Sequence, residues 1–232
     1  MRCGREETVP KLKVCGITDA AFAVEAARRG VDYLGLIFAE GSPRRVTVEQ
    51  AREIVDAVRG AKIPCPRFAG VFAEHAADVI LRMAGAVPLD VIQLHCACDA
   101  DKVARVKAKG FEVWRLYDAA EGDVCKDEDA VLLDGRDGNR CGGTGKNADW
   151  SLVAKLKRAG RRVVLAGGIS SLNIAAAVAT GADVIDVNSA LETAPGVKSV
   201  DRLEELFAVF TVTRKCDIIS PASGLNRPEE AI

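Results

Sequence analysis

The chain has 232 residues, and 32 Lys and Arg against 33 Asp and Glu leave a formal charge of −1. With 49% hydrophobic and 28% charged residues it carries enough apolar content for a sizeable core, which excludes wholesale disorder. The neutral balance argues against a general nucleic-acid or membrane-surface binder. Only two histidines occur, His75 and His95, which limits any mechanism that needs imidazole ligands. The eight cysteines include no Cys-x-x-Cys pair, and His95-Cys96-Ala97-Cys98 is too tight for common zinc chelation. The opening MRCGREETVPKLK lacks the apolar stretch of a signal peptide, so reduced thiols and a cytoplasmic location are expected.

In chain order, short apolar runs alternate with longer amphipathic ones. Strands are predicted at Leu12–Cys15, Tyr33–Phe38, Phe68–Phe72, Val91–Leu94, Glu112–Leu116, Val131–Asp134, Val163–Ala166 and Val184–Val187. They are short and apolar on both faces, as strands covered from both sides are. Helices are predicted at Ala20–Arg29, Val48–Arg59, Ala77–Ala84, Asp101–Lys109, Ser151–Arg158, Leu172–Ala179 and Asp201–Phe210. In the second of these, Val48, Ala51, Ile54, Val55 and Val58 recur at three- and four-residue steps and form one apolar face. The uncharged stretch Val163–Ala182 has the length of a membrane span, but Gly167-Gly168, Ser170-Ser171 and Asn173 divide it into a strand, a turn and a helix. No membrane span is expected.

Eight strands with intervening helices fit a single closed (β/α)8 TIM barrel over residues 11–210, with terminal extensions at 1–10 and 211–232. An open doubly wound sheet shares the alternation. The fifth unit is the weakest, because Gly122–Glu128 has little helical pattern, and no internal repeat stands out.

In a barrel the chemistry lies where strands end. Cys15 closes the first strand; a thiol of pKa about 8.5 is a few per cent ionised at pH 7, so a role as base needs positive charge nearby. Otherwise it is a small buried hydrophobe. Asp134 closes the sixth strand as a catalytic carboxyl, a helix cap or a rim charge. Gly142-Gly143-Thr144-Gly145-Lys146 is not a Walker A loop and matches a dinucleotide fingerprint only loosely; a lid or an anion-cradling loop fits better. Gly167-Gly168 and Asn188-Ser189 leave strands seven and eight, the usual phosphate position of such barrels. Arg44, stiffened by Pro43, is either a solvated loop cation or a bidentate partner for a substrate carboxylate. His95 is either a base or a hydrogen-bonded structural group.

Taken together, Lys13-Val14-Cys15-Gly16-Ile17-Thr18, Ser42-Pro43-Arg44, Gln93-Leu94-His95, Leu132-Leu133-Asp134, Gly142-Gly143-Thr144-Gly145-Lys146 with Asp149-Trp150, Leu165-Ala166-Gly167-Gly168-Ile169 and Asp186-Val187-Asn188-Ser189 resemble the phosphoribosylanthranilate isomerase family. The segments occur in order across residues 11–210. The resemblance implies a single barrel and isomerisation of N-(5-phosphoribosyl)anthranilate in tryptophan biosynthesis. It implies Cys15 as general base, Asp134 as general acid and Arg44 as the contact to the anthranilate moiety. It further implies substrate contacts at Gln93, His95 and Asp186, and phosphate contacts at Gly143, Thr144, Gly167, Gly168, Asn188 and Ser189. No metal or other cofactor is expected; the only partner implied is the small phosphorylated substrate, to a monomer or homodimer. Cys96 and Ala190 depart from the family, which usually has glycine at both. Another phosphosugar-processing barrel and a non-catalytic phosphate-ligand binder are the alternatives.

Overall fold

The computed structural model describes residues 9–95, 99–118, 127–135 and 149–219. Eight parallel strands close on themselves in sequence order: β1 Lys11–Val14, β2 Tyr33–Ile37, β3 Arg67–Phe72, β4 Val91–Leu94, β5 Glu112–Leu116, β6 Ala130–Leu133, β7 Val163–Leu165 and β8 Val184–Val187. Closure is made by β1, whose Leu12 pairs with Ile185 of β8 while its Lys13 pairs with Tyr33 of β2. The strand positions expected from the sequence therefore hold, with a closed barrel rather than an open sheet.

Helices α1 Ala20–Arg28, α2 Val48–Gly60, α3 Ala77–Ala86, α4 Ala100–Lys107, α5 Ser151–Arg158, α6 Ile174–Ala179 and α7 Val200–Ile219 complete the order. Their starts are chemically marked. Asp19 accepts from the Phe22 backbone N–H at 2.7 Å, and Thr47 and Gln50 form a reciprocal capping box at the head of α2. The uncharged stretch divides into β7, a turn and α6, and among the described residues no helix is long and apolar enough to cross a membrane. The question of a helix in the fifth unit falls on 119–126, outside the described residues.

Two features depart from the expected elements. A short 3-10 turn, Ser189–Leu191, leads into an antiparallel hairpin of β9 Glu192–Ala194 and β10 Val197–Lys198. Helix α7 runs on past Phe210 to Ile219. The fading apolar period after Phe210 marks the loss of a buried face, not the end of the helix; no proline interrupts before Pro221.

Side chains at alternate strand positions share a face. Tyr33, Ala69, Val91, Trp114, Leu116, Ala130, Leu132, Val164, Ala166 and Val184 pack together as the lumen, while the other parity packs under the helices. Above the apolar lumen layers, the same inward parity places Lys13, Cys15, Gln93, His95, Asp134, Asp186 and Asn188 toward the C-terminal mouth.

The opposite end carries a device that repeats four times. Asp32, Asp90, Asp129 and Asp183 each stand directly before an even-numbered strand. Each accepts a backbone N–H near the start of the preceding odd strand: from Leu12 at 2.8 Å, Phe68 at 2.8 Å, Val113 at 2.8 Å and Val163 at 2.7 Å. Each also donates its own N–H to that residue's carbonyl. Two reciprocal bonds per pair fix the strand register from below, far from the mouth. Asp90→Ala should therefore lower unfolding free energy by ~1–3 kcal/mol with turnover per folded molecule unchanged, read from a urea midpoint beside an activity assay.

Candidate active site

Cys15 follows β1 and is buried. Its sulfur fits because residue 35 across the β1–β2 pair is glycine: a Cβ there would stand 2.7 Å from Cys15 Sγ. Two positions below on the same face, Lys13 is wholly buried and its Nζ donates to Asp186 Oδ2 at 2.6 Å. Burial opposes a charge on Lys13, but Asp186, helped by Cys15, outweighs it and holds the ammonium protonated. For Cys15 the balance falls the other way. Burial pushes its thiol above the ordinary range, more than the charges of Lys13 and Lys198 pull it down. The positive charge that a thiol base requires is present, yet the resting group is a thiol. Gly35→Ala should displace Cys15 and cost ~10-fold or more in turnover, checked by kinetics on a variant that keeps its circular dichroism spectrum.

On the other side of the mouth, Asp134 follows β6, and its Oδ2 lies 3.4 Å from His95 Nε2 at the end of β4. Both are largely buried. Gly167, at φ +86°, packs directly on this turn, where a Cβ would come 2.3 Å from the Gly135 nitrogen and 2.9 Å from Asp134 Oδ1. Only glycine meets both demands. Gln93 is buried on the lumen face, and among the described residues neither its Oε1 nor Asp186 Oδ1 has a hydrogen-bond partner. Buried polar atoms of that kind are uncommon without a role.

The loops after β7 and β8 are both braced. Gly167 and Gly168 have positive φ, and Asn173 holds the turn by donating to the Gly168 carbonyl at 2.9 Å and accepting from the Ser170 N–H at 2.8 Å. Asn188 is held by Lys198, whose Nζ donates to its carbonyl at 2.9 Å and to its Oδ1 at 2.7 Å. Ser189 then opens the 3-10 turn. Of the expected phosphate contacts, Gly143 and Thr144 lie outside the described residues, as does Cys96.

Arg44 reaches the mouth, but its guanidinium is already engaged. Nε donates to Glu192 Oε1 and Nη2 to Glu192 Oε2, both at 2.7 Å. Lys198 also donates to Glu192 Oε1, at 2.9 Å. Burial alone would raise the Glu192 carboxyl, but Arg44 and Lys198 hold it down at about 2. Sequence reasoning missed Glu192 and Lys198, which lie on the unforeseen hairpin, and it missed Lys13, which the inward parity of Cys15 would have found. Among the described residues no three His, Cys, Asp or Glu side chains converge as a metal site needs.

A closed (β/α)8 barrel with a thiol and a carboxyl at its mouth, and braced turns after β7 and β8, defines an acid–base enzyme of the phosphosugar-barrel class. The sequence matches the family model described as N-(5'phosphoribosyl)anthranilate (PRA) isomerase over residues 12–209, and the chain belongs to that family. Among similar proteins, the N-(5'-phosphoribosyl)anthranilate isomerase of Rubrobacter xylanophilus is 39% identical over 196 residues, covering 82% of this chain and 93% of that one. The tryptophan biosynthesis protein TrpCF of Vibrio cholerae is 37% identical over 201 residues, 84% of this chain; the chain spans only 41% of that longer protein. The crystal structure of phosphoribosyl anthranilate isomerase from Thermus thermophilus superposes with a TM-score of 0.76 at 32% identity, covering 87% of this chain and 98% of that one. A phosphoribosyl anthranilate isomerase in complex with reduced 1-(o-carboxyphenylamino)-1-deoxyribulose 5-phosphate superposes with a TM-score of 0.71 at 25% identity, covering 88% and 99%.

Proposed function

We propose that the chain isomerises N-(5-phosphoribosyl)anthranilate to 1-(2-carboxyphenylamino)-1-deoxyribulose 5-phosphate, a step of tryptophan biosynthesis. The observation that carries this reading is the placement of Cys15 and Asp134 on opposite parts of one mouth, with the braced turns of β7 and β8 beside them. A substrate held by its phosphate at those turns presents its furanose ring between the two groups.

Asp134, acting as general acid, gives its proton to the ring oxygen; the C–O bond at the anomeric carbon breaks and leaves an iminium. The iminium acidifies the C2 proton. Cys15, deprotonated, takes that proton, and the electron pair forms an enolamine that tautomerises to the ketose. His95 Nε2, beside Asp134 Oδ2, can donate a hydrogen bond to that oxygen and so orient the carboxyl, leaving the acid's own proton for the ring oxygen. Gln93 Oε1 and Asp186 Oδ1, buried and without a partner among the described residues, suit the sugar hydroxyls. Gly167, Gly168, Asn188 and Ser189 take the phosphate, joined by Gly143 and Thr144. Its binding energy, realised away from the reacting carbons, serves orientation. No step calls for a metal or a redox cofactor.

The free thiols of Cys15 and Cys65 suit a reducing cytoplasm. The site draws on one chain, so a monomer or a homodimer can carry it. The test is complementation: expression in a tryptophan auxotroph lacking this isomerase should restore growth without tryptophan, and the Asp134→Asn gene should not. Failure of the parent gene, with soluble protein present, would remove the assignment.

A further inference from the structure

Glu192 is a buried carboxylate at the mouth of a site whose substrate carries a carboxylate and a phosphate, both of which it repels. Its side chain is 4% exposed and that of Arg44 is 12% exposed. A buried ion pair is weak evidence for stability by itself, since desolvation offsets much of the attraction. This pair, moreover, is built into the site. The Arg44 side chain crosses over Gly16, at φ +72°, where a Cβ would lie 2.8 Å from Arg44 Cδ and 2.7 Å from Asn188 Oδ1. That path brings the guanidinium near enough to Cys15 to feel its thiolate when one forms. Glu192 occupies one edge of the guanidinium, Nε and Nη2, and leaves Nη1 outside the fork. The carboxylate is itself anchored through Lys198 to Asn188, in the turn after β8. The hairpin that carries both residues is tied to the β1 loop by Thr18, which donates to the Gly196 carbonyl at 2.6 Å.

We propose that Glu192 is a positioning residue: by holding the Nε–Nη2 edge of Arg44, it aims the Nη1 edge at the substrate's ring carboxylate and sets the preference for a carboxylated aromatic ring. This rests on Arg44 being the contact to that carboxylate. A free arginine has many rotamers to lose on binding, whereas a guanidinium fixed on one edge offers its other edge preorganised. The chain Arg44–Glu192–Lys198–Asn188 also fixes the distance between the carboxylate contact and the phosphate turn, so the ring and phosphate ends of the ligand are measured against one frame.

Charge and position predict opposite signs, which makes the test decisive. Two stable ligands are titrated: reduced 1-(2-carboxyphenylamino)-1-deoxyribulose 5-phosphate and the same compound without the ring carboxylate. The parent protein should prefer the carboxylated ligand by ~10–100-fold, the range of a charge-assisted contact. Glu192→Gln should lose most of that preference although the mouth gains positive charge, while affinity for the ligand without the carboxylate holds. Glu192→Asp, which keeps the charge but withdraws the carboxylate, should lose it too. Tighter binding of the carboxylated ligand by Glu192→Gln, or an Asp variant like the parent, would show that Glu192 only offsets charge and would overturn the proposal. Failure of both variants to fold would assign Glu192 to the fold and overturn it equally. Arg44→Gln separates the two layers. If it keeps the preference, the reading of Arg44 fails; if it loses the preference while the Glu192 variants keep it, only the role of Glu192 fails.

Discussion

Asp134→Asn should lower turnover by ~10²–10⁴-fold, the range for losing a positioned proton donor, with the barrel intact. The amide keeps the shape of the carboxyl and the space beneath Gly167, so the turn after β6 has no reason to move. It cannot give up a proton to a ring oxygen, so the furanose stays closed and the iminium never forms. Ligand affinity should change little, since the phosphate turns and Arg44 are untouched. The loss should therefore appear in kcat rather than KM. Steady-state kinetics beside a circular dichroism melt checks this; near-parent turnover in a folded variant would remove Asp134 as the acid.

Cys15→Ser is expected to lose turnover on the same scale for the opposite reason. Serine fits the space that Gly35 leaves, but its hydroxyl holds its proton far more tightly than a thiol, so no base is formed to take the C2 proton. The pH dependence gives the sign independently. Because burial raises the Cys15 thiol above its ordinary range, the free enzyme carries the protonated, inactive form at neutral pH. The active form needs Cys15 without its proton and Asp134 with one, so log kcat/KM should rise with unit slope at low pH and fall with unit slope once the pH passes the ionisation of both groups. Iodoacetamide should alkylate Cys15 as it ionises, and a bound product analogue should protect it. A profile without the rising limb together with an active serine variant would make Cys15 a packing residue.

The two groups were legible from the sequence for different reasons. Asp134 is a charged residue directly after the apolar run Val131–Leu133, which is conspicuous by pattern alone. Cys15 is apolar enough to pass as core, and only the motif around it marked it out. Most strands were found because barrel strands are buried on both faces and read as short apolar runs between helical periods. The hairpin at Glu192–Lys198 was not found, because two- and three-residue strands have no alternation to detect. With it went the partners of Arg44, so the sequence offered a free arginine where the structure has a braced one. The four aspartates before the even strands were equally invisible as a set. Spacings between Asp32, Asp90, Asp129 and Asp183 are unequal in sequence and become regular only once the barrel closes. Lys13 lies within the first strand, where a charge would ordinarily argue against burial; its partner Asp186 is on β8, a neighbour only through closure.

The fluorescence of N-(5-phosphoribosyl)anthranilate tests the whole account most directly. Incubated with the purified protein in excess EDTA, that fluorescence should decay catalytically, with 1-(2-carboxyphenylamino)-1-deoxyribulose 5-phosphate appearing in equal amount. Fluorescence that persists despite demonstrable ligand binding would make the chain a phosphate-ligand binder, and would contradict the acid–base roles given to Asp134 and Cys15.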